Sequence, residues 1–433
     1  LSSTAHATER SRGGDASGVA APTDHLSFRG LGVPAALVKA LADGGVTTPF
    51  PIQAAALPDA LAGRDILGRG RTGSGKTIAF AVPVVATLAA AGRRPSPRRP
   101  LALVLVPTRE LAAQVSETFA PLARAMGLRT VTIYGGVPQN RQVSALRQGV
   151  DVVIATPGRL EDLIAQRHCD LQDIAVTVID EADHMADLGF LPAVTRILEQ
   201  TPGRGQRLMF SATLDRAVDA LVARYLHNPA VHSVDPAEAS PDLLEHHLFS
   251  VQLGHKAAVV TDLASGRGRT LLFARTKHGA KKLAKNLTTA GIPAVELHGN
   301  LSQSVRQRNL AAFTDGSVRV LVATDIAARG IHVDDIALVV HVDPPAEHKT
   351  FLHRSGRTAR AGAAGAVVTV VTPDQTKDVR SLVRQAGIRA SSCTVVPGDP
   401  QTVALTGAPA PRRAARWGPR AGGPRAPRGP RAR

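Results

Sequence analysis

Short apolar runs alternate along this chain with longer stretches of helical character. The runs at 65–68, 101–106, 129–134, 151–155, 174–179 and 207–210 read as strands. Each is followed by a turn and a helix-like stretch, the pattern of βαβ units in a parallel sheet covered by helices on both faces. A polar, proline-containing segment from Asn228 to Asp242 interrupts the rhythm. Strand-like runs then resume at 246–252, 269–274, 292–297, 318–323, 336–342 and 366–371. The expectation is therefore an α/β chain of two tandem units, at 26–235 and 236–395. The longest apolar stretch, Ile78 to Ala91, contains Pro83 and Thr87. It falls short of the roughly 20 residues needed to cross a bilayer. It reads as a core helix, and no membrane partner is expected.

The ends have a different composition. Residues 1–25 are Ser, Thr, Ala, Gly and charge without periodicity, which predicts a disordered extension. From 396 to 433 the expectation is a disordered basic tail. Residues 408–433 hold eight arginines, the only tryptophan (Trp417) and no acid. That tryptophan either stacks on bases or does nothing. The net charge of +17 favours an anionic partner, most often nucleic acid, over a purely solubilising role. Cys169 and Cys393 have no metal-ligand spacing and read as reduced thiols of a cytoplasmic protein.

Two motifs carry chemistry. Gly70 to Thr77 reads Gly-Arg-Thr-Gly-Ser-Gly-Lys-Thr, a phosphate-loop pattern between a strand and a helix. Thr72, Gly73, Ser74 and Gly75 would wrap a triphosphate, Lys76 would reach its β- and γ-phosphates, and Thr77 would ligate Mg2+. Asp180, Glu181 and Asp183 follow a buried strand. An acid there can hold the magnesium of a bound ATP through water, and the next can orient the attacking water. In the second unit, His353 to Arg360 places three arginines in seven residues. If that segment is helical, Arg357 and Arg360 share a face and can meet one polyanion. Equally, they are exposed charges on a surface helix.

With these residues in place, the chain resembles a DEAD-box ATP-dependent RNA helicase of superfamily two over residues 26–390. The family motifs recur in order. Gly45 to Gln53 is similar to the adenine-reading motif, with Gln53 as reader and Phe28 at the place of an adenine-stacking aromatic. Pro107, Thr108 and Arg109, then Gly135 and Gly136, then Thr156, Pro157, Gly158 and Arg159 resemble RNA-backbone contacts. Ser211 to Thr213 resembles the motif coupling hydrolysis to strand separation, and with it Asp183. In the second unit, Leu271 to Thr276, Gln303 with Arg306, and Ala323 to Gly330 occupy the family's places, followed by His353 to Arg360.

The resemblance implies two RecA-like domains, ATP and Mg2+ as cofactors, and RNA held by its backbone without a sequence code. It implies RNA contacts at Arg275, Thr276, Gln303, Arg306 and Thr324, and nucleotide contact at Gly330. Asp325 and His353 would couple the domains, with Arg357 and Arg360 as arginine fingers. Ribosomal precursors and RNA-decay proteins are compatible partners. Three departures stand out. Gly70 replaces an alanine, Phe50 replaces a threonine, and His332 stands where the family has a ribose-bonding aspartate. The rival readings are an ATP-gated RNA clamp that does not unwind, and a DNA helicase or translocase.

Overall fold

A computed structural model describes residues 27–70, 73–213, 216–233, 244–328, 333, 335–359 and 364–410. Its frame is a pair of seven-stranded parallel sheets. The first contains β1 (Ile66–Arg69), β2 (Ala102–Leu105), β3 (Thr130–Ile133), β4 (Val152–Ala155), β5 (Val176–Ile179), β6 (Gln206–Ser211) and β7 (Ala230–Ser233). They lie in the order β3-β4-β2-β5-β6-β1-β7. The second contains β8 (Leu244–Ser250), β9 (Arg269–Phe273), β10 (Ala294–Leu297), β11 (Val320–Ala323), β12 (Ile336–His341), β13 (Gly365–Val371) and β14 (Ser391–Thr394). Its order is β10-β11-β9-β12-β13-β8-β14. Adding seven to each strand number of the first sheet reproduces the second, so the two units share one topology.

Side-chain alternation explains why central strands such as β2, β4 and β5 are buried and almost wholly apolar. Ala102, Val104, Val176, Val178 and Phe210 enter one buried cluster of the first unit, with helical Phe80, Val84 and Phe119. Their neighbours Leu103, Leu105, Ile179 and Met209 enter another, with Leu160, Leu163 and Ile197. Successive residues of a strand point to opposite faces, so both faces are covered. The helix Lys76–Ala91 carries Ile78 to Ala91 as expected, ending at Gly92 in the left-handed region. Among the described residues no helix is long and apolar enough to cross a membrane.

Two edge strands escaped the sequence pattern. β7 lies inside the segment read as a polar linker, where only Ala230 is buried. β14 is Ser-Ser-Cys-Thr and largely exposed. Both extend a sheet through backbone pairing, Ile66 with Ala230 and Phe249 with Cys393. The disorder expected from 396 onward is corrected as far as Ala410. A helix, Pro400–Thr406, starts from an Asp399 cap and buries Thr402. It packs on the helix Lys256–Ala264, Gly398 N donates to Asp262 Oδ2 at 2.8 Å, and Ala410 N donates to Ser265 O at 2.9 Å. The expected extension at 1–25 and the arginines and Trp417 beyond 410 lie outside the described residues.

Candidate functional site

The functional candidates collect at the carboxyl ends of the strands, where α/β sheets of this kind bind ligands. β1 leads into the phosphate loop. Gly73 and Gly75 have φ of +90° and +86°. At Gly75 a Cβ would sit 2.4 Å from Gln53 Nε2 and 2.5 Å from Phe50 Cδ2, so only glycine fits. Lys76 opens the helix, is 6% exposed, and donates from Nζ to Gly70 O at 2.7 Å. The Ser74 hydroxyl is buried without a partner among the described residues. A glycine cradle, an orphaned hydroxyl, a buried lysine and a helix N-terminus together fit the phosphates of a nucleotide. Thr72 lies outside the described residues.

At the end of β5, Asp180 and Glu181 are buried beside this loop. Burial pushes the Asp180 carboxyl up to about 7, against the pull of Lys76. Glu181 goes the other way. Its burial would raise it, but the hydrogen bond and charge of His184, helped by Arg357 and Lys76, hold it well below the usual carboxylate range. Asp183 Oδ2 accepts from both Thr213 N and Thr213 Oγ1 at 2.9 Å, and Asp183 N donates to Ser211 Oγ at 3.2 Å. The acidic turn is thereby tied to the end of β6. The donor set of Thr77 and Asp180, one hydroxyl and one carboxylate, suits a hard cation that keeps water in its shell.

Gln53 and Phe28 are both enclosed by protein. Gln53 is wholly buried. Its Oε1 accepts from Phe50 N and its Nε2 donates to Gly75 O, both at 2.9 Å. It fastens the start of the helix Pro51–Leu61 to the phosphate loop. Phe28, read as an adenine-stacking ring, is 2% exposed and packed in the core with Leu37, Ile52 and Leu57, so it offers no face to a base. The exposed ring at the loop is Phe50, at 51%.

Equivalent strands of the two units carry equivalent threonines. Thr108 after β2 and Thr276 after β9 cap the following helices, accepting from Leu111 N and Gly279 N. Thr156 after β4 precedes a helix beginning at Pro157 and Gly158, and Thr324 after β11 precedes the helix Asp325–Ala328. Arg109 lies on the Gly135–Gly136 backbone, where a Cβ on Gly136 would be 2.0 Å from its Nη1. Its burial, and then the charges of Arg306 and Arg159, pull the guanidinium below its usual value. Arg159 donates to Val137 O at 3.3 Å, and Arg275 N donates to Asp343 Oδ2 at 3.0 Å. Clustered cations at the strand ends are what a polyanion backbone needs.

The two units meet here. Glu110 Oε1 accepts from Arg306 Nη2 at 2.9 Å and from Gln303 Nε2 at 3.3 Å. Glu110 and Gln303 line one cleft of about 750 Å³ with Thr77, Gln114 and Gln307. His353 Nδ1 lies 3.9 Å from Asp187 Oδ2. The helical reading of the arginine cluster is corrected, because the helix His348–Ser355 stops at Gly356 and Arg357 lies beyond it. Arg357 is 6% exposed and acts on Glu181 across the junction. Arg354 instead serves its own unit. It holds both oxygens of Asp325, at 2.5 and 2.8 Å, and stacks over Phe273. Gly330, His332 and Arg360 lie outside the described residues. Reading the sequence missed His184 and Asp187, which follow the acidic motif on the helix Ala182–Asp187; their closeness to it in the chain was the available signal.

Comparison with known proteins follows the same lines. Residues 50–221 match the DEAD/DEAH box helicase family, and residues 255–362 match the helicase conserved C-terminal domain. The mitochondrial DEAD-box ATP-dependent RNA helicase 9 of Arabidopsis thaliana is 38% identical over 375 residues, which is 84% of this chain and 60% of that protein. RNA helicase CrhR of Synechocystis sp. is 38% identical over 373 residues, 85% of this chain and 74% of that protein. The chain spans only 50% to 62% of the length of several of the plant relatives it matches. A solved structure of S. cerevisiae Dbp5 bound to RNA and ADP BeF3 superposes with a TM-score of 0.77 at 27% identity. It covers 88% of this chain and 98% of that one. Both sheets therefore have the tandem RecA-like arrangement.

Proposed function

This chain belongs to the DEAD/DEAH box helicase family, and from that premise we propose that it is an ATP-dependent RNA helicase acting through the backbone of single-stranded RNA. The observation that carries the reading is the junction itself. Arg357 of the second unit faces Glu181 of the first, beside the phosphate loop and Asp180. Only when both units are together is this charge set complete.

The proposed roles follow from where each group sits. Gly73, Ser74, Gly75 and Lys76 bind the phosphates, and Thr77 with Asp180 hold Mg2+. The ion, when bound, neutralises phosphate charge. Glu181, kept anionic, orients the attacking water. Arg357, with Arg360, offsets charge developing on the phosphoryl oxygens. Asp183, held by Ser211 and Thr213 and neighboured by His353, passes the state of the site to the RNA contacts. Those contacts are Thr108, Arg109, Gly135, Gly136, Thr156, Arg159, Arg275, Thr276, Gln303, Arg306 and Thr324. Closing the units on ATP and RNA bends one strand, and hydrolysis releases it. The yeast neighbour's bound RNA and ADP BeF3 support both ligands. Cysteine usage supports a cytoplasmic setting.

Glu181→Gln tests the reading. It removes the water-orienting carboxylate but keeps shape, so ATP and RNA binding should persist while turnover falls about a hundredfold or more. Loss of ATP binding with turnover intact at saturating ATP would reverse the assignment. Duplex displacement with the wild-type chain separates unwinding from clamping, since a clamp binds without displacing. Stimulation by DNA equal to that by RNA would favour a DNA translocase.

A further inference from the structure

The acidic motif is followed directly by a histidine to which none of the proposed roles gives a task. His184 lies on the short helix Ala182–Asp187 and is 5% exposed. Its Nδ1 stands 3.0 Å from Glu181 Oε2, with both side chains buried. Glu181 itself is held at φ +51°, a left-handed conformation that a residue with a side chain adopts at a cost of about 1–3 kcal/mol. That backbone aims the glutamate inward. A glutamate still has three side-chain torsions, so the backbone alone does not fix where its oxygens point.

The imidazole does fix them. In this contact the carboxylate oxygen is the acceptor, so Nδ1 is the donor. The main chain of His184 is pinned in turn, its N–H donating to Asp183 Oδ1 at 2.9 Å. Asp183 is itself held by Ser211 and Thr213. A continuous set of bonds thus runs from the end of β6 through Asp183 and His184 to one oxygen of Glu181. A histidine serving only to fill the core would not need a buried polar edge, and Nε2 on the far side finds no partner among the described protein atoms.

We propose that His184 is a positioning residue for Glu181, whose Nδ1–H holds Oε2 so that the other carboxylate oxygen faces the attacking water. This rests on the reading of Glu181 given above. The test is steady-state RNA-stimulated ATP hydrolysis by the full chain carrying His184→Leu, His184→Asn, Glu181→Gln, and His184→Leu with Glu181→Gln together. Thermal melting confirms that each is folded. Leucine fills the space without a donor. Asparagine puts its Nδ2 close to where Nδ1 stands. His184→Leu should lower kcat on the order of 10- to 100-fold, the range for small misplacements of a reacting group, with KM for ATP nearly unchanged. His184→Asn should recover most of the loss. In the Glu181→Gln background, His184→Leu should add nothing, because the two act as one unit. Wild-type kcat in His184→Leu beside an inactive Glu181→Gln would overturn this proposal alone. Equal impairment of the leucine and asparagine variants would overturn it too, and so would an undiminished effect in the double variant. Full turnover in Glu181→Gln would overturn the role of Glu181, and this proposal with it.

Discussion

Two phenylalanines show how burial redistributes what residue type suggests. Phe28 sits at the expected spacing for a base-stacking ring, yet it is enclosed in the core, while Phe50 stands half exposed against Gly75. Truncating a buried Phe removes its contacts and leaves a cavity, which costs about 3–5 kcal/mol. Phe28→Ala should therefore lower the urea midpoint strongly without changing KM for ATP in the folded protein. Phe50→Ala should barely move that midpoint. It should raise KM for ATP about fivefold or more, since one base-aromatic stack contributes about 1–3 kcal/mol. The opposite pattern, a KM effect at Phe28 and none at Phe50, would restore the original expectation. The same logic governs Gln53. Its amide was legible as a reader of adenine, but which bonds a carboxamide makes depends on neighbours 22 residues away in the chain.

At the scale of elements, the strands were legible except β7 and β14, one edge strand of each sheet. A central strand needs apolar residues on both faces, which a sequence displays. An edge strand such as β14 needs only a free ladder of backbone groups, which leaves no side-chain signature. Strand interiors also hold groups that matter for stability. His341 of β12 is wholly buried, with Nδ1 3.1 Å from Thr369 Oγ1 and its ring edge-on to Phe351. His246 of β8 stacks on the same Phe351. Burial, with the charge of His247, takes His246 down to about 4. Burial also takes His341 well below the usual value, aided by Arg354 and His246. In the unfolded chain both titrate near about 6.5, so as pH falls the unfolded state binds protons first. The contribution of His246 to stability is full above about 6.5 and is lost progressively toward about 4, and that of His341 falls in the same direction as pH drops. Melting of the second unit should show this fall, and His246→Phe, which keeps the stack, should make it shallower. An identical pH profile in that variant would refute the role of His246.

The whole molecule adds what neither unit has alone. Arg306 and Gln303 reach Glu110, His353 approaches Asp187, and Arg357 faces Glu181, each pair crossing the junction. A cation supplied from a second body can contribute about a thousandfold or more to phosphoryl transfer. Arg357→Ala should therefore cut RNA-stimulated hydrolysis by about that factor with little loss of ATP affinity. Near-normal stimulated turnover in that variant would place the essential charge elsewhere. The duplicated strand order explains why so many candidates from both units meet. In each sheet the same strands end in threonine- and arginine-bearing loops, so apposing the carboxyl edges faces one set toward the other.

By itself the sequence determined the α/β class, the two parallel sheets, the central strands, the phosphate loop and the order of the motifs. These are local or periodic properties, written in spacing and in the alternation of apolar positions. Tertiary structure decided the rest. It turned Phe28 inward and left Phe50 outside, ended the helix before Arg357, and ordered Pro400–Thr406 on the second unit. It also gave Glu181 a histidine partner. Each outcome depends on contacts between segments distant in the chain or on a side-chain direction fixed by packing, and neither is encoded in local composition.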